Sequence, residues 1–544
     1  MTNSTAQHST AQHSNNISDI ENFVNKLVTN YAKYLIACLL IFFAIYYSEF
    51  SEYRLRVDEE MAAFRGLDDD IDKGWIGLGR WGTWIFELFL LRPLNPYFSM
   101  LFGGIFLAIS FLFFAQAVRI RITPYLIFSF ILFAGFPTWY YIIEFKGTFL
   151  ANSVAVFLAA LASVSYNKTS FSRPLFVLLL VPAIAIYQST LLVALTIVFA
   201  SLIVEKHREP NYSILFPLSL AALLSILSVI IYFLIWKFLM VWFGIKMSYI
   251  NHFIDLDSLL RNPIQIMGRT VREGLSVYLG ASPIFIGSKW FSGILFILGL
   301  IAFTLQFSDW RKPKQVVFSA LIPLIILLGL PFSFNLLSGG TLPYRTLLAV
   351  PFAYWFLIIT ALQSGYRWIR LAATGLMLIV AVQYFQIASL SSFSHHFTAI
   401  HDQLIAAQVY QRISEKVPDF NREMTYPVEF VGALAFPNEA RYPTSIAYSH
   451  SQVMGVTTRS VFEWDPADPI RVIYFMKLLG FGNFRFIYDA ERATIIHSVD
   501  DMPSWPNRDA VRIINGIVVV KFGNYPPGIR QSAINFMSSK PPGN

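Results

Sequence analysis

Long apolar runs broken by short basic stretches set the pattern of this chain. Runs with few charges lie at 31–50, 96–117, 122–141, 149–165, 213–236, 285–306, 315–333, 346–362 and 370–389. A helix needs about 20 such residues to cross about 30 Å of hydrocarbon, so each is a candidate membrane segment. The stretch 174–204 is also apolar, but as one helix it would run about 46 Å, well past the hydrocarbon. It is interrupted by Tyr187-Gln188-Ser189-Thr190. Basic residues decide how it is read. Arg119 and Arg121, Lys168 and Arg173, Lys206 and Arg208, Arg311 with Lys312 and Lys314, and Arg367 with Arg370 mark five loops. Cytoplasmic loops collect Lys and Arg, and all five share one side only if 174–204 is a hairpin of two short helices. The two meet at Tyr187 to Thr190 on the opposite side, where neighbouring helices can cover partial spans. The pattern predicts about eleven membrane segments, a cytoplasmic N-terminus, and two long external loops at 51–95 and 237–284.

The ends of the chain differ from its middle. Residues 1–30 are polar, with STAQH repeated between Ser4 and Ser14, and carry too little apolar surface to fold; they read as a disordered cytoplasmic tail. No cleavable signal precedes the run Tyr31 to Phe50, which acts as an uncleaved first span. From Ser391 the pattern changes again. His395 to Lys416 has helical spacing of Ile400, Leu404, Ile405, Val409 and Ile413, while Phe484 to Tyr488, Thr494 to Val499 and Val511 to Phe522 read as strands. Asn515-Gly516 supplies a hairpin turn in the last. The organisation expected is a membrane domain over 31–390 and a small external α/β domain over 391–544.

Composition agrees with lipid as the main solvent: 55% of residues are hydrophobic, 14% are charged and the mean hydropathy is +0.54. The net charge of +8 does not point to nucleic acid, because the cations sit in loops between apolar runs. Cys38 is the only cysteine, so no intramolecular disulfide forms. Eleven cations, among them Arg80, Arg261, Arg269 and Arg272, fall in the two loops read as external, against the usual bias, which suggests anion binding there.

The first loop opens with Val57-Asp58-Glu59-Glu60, continues through Arg65 and the acidic run Asp68-Asp69-Asp70-Ile71-Asp72, and reaches Trp75-Ile76-Gly77-Leu78-Gly79-Arg80-Trp81-Gly82. Carboxylates held at a membrane face can serve as a general base, since like charge and partial desolvation raise their pKa. The alternative is ordinary solvated loop charge. The run at 68–72 reads as solvated, with a divalent metal left open. Glu144 sits between apolar spans, where an acid is either functional or simply facing water at the interface. Tyr187 and Gln188 either bind sugar hydroxyls or cap two helix ends. Arg345 is a phosphate ligand or a snorkelling anchor. His252 and the aromatic stretch around Trp236 and Trp242 read as interfacial packing.

Taken in order, these landmarks resemble a family. The acidic pair Asp58-Glu59, Trp75, Gly79-Arg80, Ile143-Glu144-Phe145, Tyr187-Gln188, Pro343-Tyr344-Arg345, the segment Asp501 to Pro506 and then Gly516 to Lys521 are similar to the phage-type, serotype-converting O-antigen glucosyltransferases of the GT-C superfamily. The chain departs from that pattern with Asp58-Glu59 in place of two aspartates, and with a loose match at Lys146-Gly147-Thr148. The resemblance implies a polytopic α-helical, GT-C-like membrane protein with a small periplasmic α/β C-terminal domain. It further implies transfer of a sugar, usually glucose, from a polyprenyl-phosphate donor to O-antigen or a related lipid-linked polysaccharide at the periplasmic face of the bacterial inner membrane. Asp58, with Glu59 as partner, is the expected base. Arg80 and Arg345 are expected on the donor phosphate, which guanidinium grips in bidentate fashion, and Glu144, Tyr187 and Gln188 are the further substrate contacts. Direct attack opposite the phosphate would invert the anomeric carbon. No cofactor and no metal ligand set is implied. Two rivals stand beside this reading: a lipid-linked sugar flippase or transporter, and a non-catalytic assembly protein. The lack of an internal repeat and the gathering of charge at one face favour the enzyme.

Overall fold

A computed structural model describes residues 32–51, 59–64, 69–91, 95–166, 172–209, 211–245, 255–285, 289–307, 317–434, 460–464 and 469–539. The N-terminal tail, Asp58, Asp68 and His252 lie outside the described residues.

Helices dominate, and their starts are written in the sequence. Asn95 accepts a hydrogen bond from Phe98 N at 3.0 Å with Pro96 in the first helical position, and Thr123 caps the helix at Pro124 through Leu126 N at 3.2 Å. Among the described residues seven helices are long and apolar enough to cross a membrane: Pro96–Ala117, Lys146–Tyr166, Thr190–Arg208, Leu215–Phe243, Trp290–Phe307, Ser319–Leu337 and Arg367–Lys416. The pair Pro124–Ala134 and Pro137–Ile143 bends by 64° where Pro137 restarts the helix. Three shorter apolar helices are Ala32–Ile45, Arg173–Ile186 and Val350–Leu362. This is the helix set of an integral membrane protein.

Every residue of Val350–Leu362 is buried, which puts this helix at the centre. Its Trp355 and Phe352 pack among Phe111, Phe114 and Phe133, with ring centroids 4.8 to 5.3 Å apart. Leu215–Phe243 is the opposite case, exposing Leu223, Leu234 and Phe238 and burying a stripe that includes Ser225, Ser228, Tyr232 and Trp236. The helices Arg173–Ile186 and Thr190–Arg208 are separated by Tyr187-Gln188-Ser189 and both pack on Lys146–Tyr166 and on Leu215–Phe243. The 174–204 stretch is therefore two helices, as its polar interruption predicts.

Arg367–Lys416 is one helix of 50 residues, about 75 Å long at 1.5 Å per residue. It runs without a break through Ser391, where a change of domain is expected. Its last turns carry Ala406, Val409 and Ile413 into the core of a small C-terminal unit. That unit holds a four-stranded sheet in the order β2-β1-β4-β3, with β1 Thr425–Val431 parallel to β2 Asn483–Arg485 and to β4 Ile517–Lys521, and β3 Val511–Ile514 antiparallel to β4. The β3–β4 turn is the expected Asn515-Gly516, with both residues at positive φ. Two expectations need correction. Strand β1 was not foreseen, and the strand expected at Thr494 to Val499 is the helix Ile496–Asp500. Its apolar residues Ile495, Ile496 and Val499 have helical spacing and bury one face, which overrides their β-branched composition.

One close approach positions everything that follows. The short helix Trp81–Phe86 lies so near the end of Arg173–Ile186 that a Cβ on Gly82 would stand 2.8 Å from Ala185 C and from Ile186 N. Thr83 Oγ1 donates to Ile186 O across the same contact at 2.9 Å. Gly82→Ala must push the two backbones apart and is expected to cost about 1–3 kcal/mol. Gly74→Ala, inside helix Asp69–Gly77 and with nothing within 4 Å of the new Cβ, is expected to raise stability by up to about 1 kcal/mol. Thermal denaturation of the two variants in detergent compares them directly.

Candidate active site

Helix Asp69–Gly77 ends in a Schellman motif: Gly79 N bonds Ile76 O at 3.0 Å and Arg80 N bonds Trp75 O at 2.8 Å. The motif needs a left-handed residue at Gly79, whose φ is +72°, and so the Gly-Arg pair has a local cause. The same turn is held from outside by three side chains. Trp236 Nε1 donates to Ile76 O at 2.6 Å, Gln188 Nε2 to Leu78 O at 3.1 Å, and Tyr232 OH to Gly79 O at 2.8 Å. Arg80, the next residue, is fixed by these bonds. Its guanidinium carbon lies 4.4 Å from the centroid of the Tyr187 ring and 5.8 Å from that of Trp75. Trp75 Nε1 donates to Glu87 at 2.8 Å.

Tyr187 is the hinge of the site. It is extended, at φ −150° and ψ 112°, between the two helices of the 174–204 stretch. Its ring carries Arg80, and its hydroxyl donates to Arg345 O at 3.1 Å. Arg345 lies in the 3-10 turn Tyr344–Thr346, half-buried, with its guanidinium carbon 5.4 Å from the Phe145 centroid. Beside Phe145, Glu144 is 2% exposed and its Oε1 is 3.2 Å from Nε2 of His395 on the long helix. Tyr344 OH accepts from Ser282 Oγ at 3.1 Å, with the Glu273 carboxylate nearby. Burial pushes the Tyr344 hydroxyl up, with the Glu273 charge adding to it, so it stays protonated at neutral pH.

Two ion pairs close this end of the bundle. Lys146 Nζ is 3.0 Å from Glu49 Oε2 and also donates to Glu49 O at 3.2 Å, both side chains being buried. In the helix Glu59–Ala62, Glu59 and Glu60 are each 2% exposed, and Glu60 Oε1 is 3.2 Å from Arg471 Nη1 in the helix Ile470–Leu478. The Phe64 ring lies 5.2 Å from that of Tyr474, so the first loop docks on the C-terminal unit. Glu59 and Glu60 are thus not the solvated loop charges of the alternative reading. Among the described residues no three His, Cys, Asp or Glu are placed to hold a metal ion.

Of the residues singled out from sequence, Arg80, Tyr187, Gln188 and Arg345 share one cluster, and Glu144 adjoins it through Phe145. Glu59 reaches the same end, because its helix packs on the helix that opens at Lys146. Asp58 falls outside the described residues. Sequence reasoning missed Tyr232, His395, Glu273, Ser282, Glu49 and Arg471. It also took Trp236 for interfacial packing, whereas Trp236 is buried and bonded to the Arg80 turn. Only Trp242, 72% exposed, fits that description. A readable signal existed for two of them: Ser225, Ser228, Tyr232 and Trp236 form a polar, helically spaced stripe on an otherwise apolar helix.

Apolar helices bearing buried ion pairs and two arginines at one end define an integral membrane protein with an enzyme-like polar site. The family model described as Glucosyl transferase GtrII matches residues 47–362, more than half of the chain, and the chain belongs to that family. Membership implies glucosyl transfer, and with it a sugar donor and an acceptor. It agrees with the resemblance to serotype-converting glucosyltransferases noted above. Neither a search of curated proteins nor a search of solved structures returns a match. The matched region contains Glu59, Arg80, Glu144, Tyr187, Gln188 and Arg345.

The clamp on the Arg80 turn is testable. Tyr232→Phe keeps the ring, removes the bond to Gly79 O and leaves that carbonyl unpaired, which is expected to cost about 1 kcal/mol of stability and to loosen the Arg80 turn. Sugar transfer measured at matched levels of folded protein should fall several-fold, and thermal denaturation should show a small decrease in midpoint.

Proposed function

We propose that this protein transfers glucose from a polyprenyl-phosphate donor to O-antigen or a related surface polysaccharide at the periplasmic face of a bacterial inner membrane. The observation that carries the reading is the Arg80–Tyr187–Arg345 cluster, in which one tyrosine holds one guanidinium on its ring and the peptide of a second through its hydroxyl. Stacking engages the face of a guanidinium, whereas phosphate is gripped by its edge, so the two contacts are compatible. A lipid-borne donor accounts for a phosphate site at the end of a membrane bundle. The topology that goes with it has eleven membrane segments, the five basic loops in the cytoplasm, and the first loop and C-terminal domain in the periplasm.

In this mechanism Arg80 and Arg345 neutralise the phosphate as it leaves. The acceptor oxygen bonds the anomeric carbon as the sugar–phosphate bond breaks, and its proton passes to Asp58, with Glu59 as second choice. Attack opposite the phosphate inverts the anomeric configuration. Gln188 and Glu144 contact sugar hydroxyls, with Glu144 held in orientation by His395.

Mass spectrometry and linkage analysis of surface polysaccharide with and without the gene test the reading. Loss of one hexose per repeat is expected; identical polysaccharide would refute it. In the purified enzyme Asp58→Asn should lower the rate roughly a hundredfold while donor still binds. Arg80→Lys and Arg345→Lys keep the charge and lose the planar fork, so each should cut turnover by about tenfold or more in a folded protein. Wild-type rates in both would move the phosphate site elsewhere.

A further inference from the structure

Helix Pro263–Tyr278 has three distinct faces. At about 100° per residue, Ile264, Met267, Val271 and Leu275 share one, Gln265, Arg269 and Arg272 the next, and Ile266, Thr270 and Val277 the third. The third face is buried. Gly274 lies against the Phe332 ring, Tyr278 stacks on Phe296 with centroids 5.0 Å apart, and the helix packs on Trp290–Phe307 and Ser319–Leu337. The first face is bare: Ile264 is 88% exposed, Met267 58%, Val271 52% and Leu275 52%. Leu260, in the short helix Leu256–Arg261 just before, is 80% exposed.

Four large apolar side chains on one face favour an apolar cover, and the neighbouring helices indicate which. Both helices beneath carry exposed apolar residues of their own, Ile294 and Ile297 on one and Ile325 on the other, so the stripe continues a lipid-facing surface. Arg269 and Arg272 are exposed along one flank of it, where interfacial helices carry their cations. The acids nearby are engaged elsewhere: Glu273 is half-buried with its charge felt by the Tyr344 hydroxyl, and Asp255 caps the preceding helix through Ser258 N. Asp257 lies in that preceding helix.

We propose that Pro263–Tyr278 is an interfacial helix, with its apolar stripe in the acyl region of the leaflet on the active-site side and Arg269 and Arg272 on the phosphates of anionic phospholipid. The occupant is the phospholipid leaflet itself, and the helix lies parallel to the membrane plane. On its inner side Ser276 O accepts from Ser282 N at 2.8 Å, and Ser282 Oγ donates to the hydroxyl of Tyr344, the neighbour of Arg345, at 3.1 Å. One helix therefore rests on lipid with one face and supports the proposed phosphate site with another. The inference needs only the membrane class of the protein, not the proposed donor.

Spin labels test it in the full chain, with the buried Cys38 retained and new cysteines at Met267→Cys, Val271→Cys, Gln265→Cys and Arg269→Cys. The protein is placed in bilayers of phosphatidylglycerol with phosphatidylcholine, and in phosphatidylcholine alone. Labels at 267 and 271 should meet dissolved oxygen several-fold more than a water-soluble nickel chelate, and labels at 265 and 269 should show the reverse. The label at 271 should sit deeper in the anionic bilayer, and Arg269→Gln with Arg272→Gln should abolish that difference. Equal access of the chelate to all four sites overturns the inference. So does exclusion of both reagents at 267 and 271, which would mean a protein partner or second copy covers the stripe, and so does indifference to lipid charge. Any of these results in a protein that still transfers sugar would sink this inference alone.

Discussion

An ionised side chain buried in a protein that is solvated by hydrocarbon is tolerable only when paired, since the penalty per unpaired ion is on the order of several kcal/mol. The bundle meets that constraint by bringing opposite charges from distant parts of the chain to one end. Glu49 meets Lys146 and Glu60 meets Arg471, while Glu144 is within hydrogen-bond distance of the His395 ring. Each pair joins elements that sequence separates widely, so the requirement for charge balance also ties the first helix, the central helices, the 50-residue helix and the C-terminal unit together. Removing one partner would strand the other, which makes these pairs structural supports of the site whatever else they do.

The two arginines of the site are held by aromatic rings and backbone bonds. Arg80 is set by a helix-ending turn whose carbonyls are captured by Trp236, Gln188 and Tyr232, and it rests on the Tyr187 ring. Arg345 is set through its own carbonyl by the same Tyr187. Aromatic rings and backbone bonds thus orient both guanidiniums toward one end of the bundle. Family membership in the glucosyl transferases gives that end a natural ligand in the proposed donor phosphate.

Much of this was legible in the sequence because its signals are local. Each predicted apolar stretch falls on an apolar helix, the polar break at Tyr187 to Thr190 separates two helices, and Asn515-Gly516 turns a hairpin. Tyr187 and Gln188 stand out as a polar break in an apolar run, while Arg80 and Arg345 stand out through the ordered motifs that resemble the family. What stayed hidden depends on contacts across the chain. Nothing near His395 announces that it pairs with Glu144, 251 residues away, and nothing in Tyr232 announces Gly79. The C-terminal unit was read least well, since its strand Thr425–Val431 and its helix Ile496–Asp500 take their form from a sheet whose partners are far apart in sequence.

The central claim is that the paired arginines serve a sugar donor presented on a lipid phosphate. It is tested most directly by giving the purified protein, in vesicles with a lipid-linked acceptor, radiolabelled glucose either on polyprenyl phosphate or on a nucleoside diphosphate. The account predicts label in the acceptor from the polyprenyl-phosphate donor alone. Transfer from the nucleotide sugar with none from the lipid donor would contradict it.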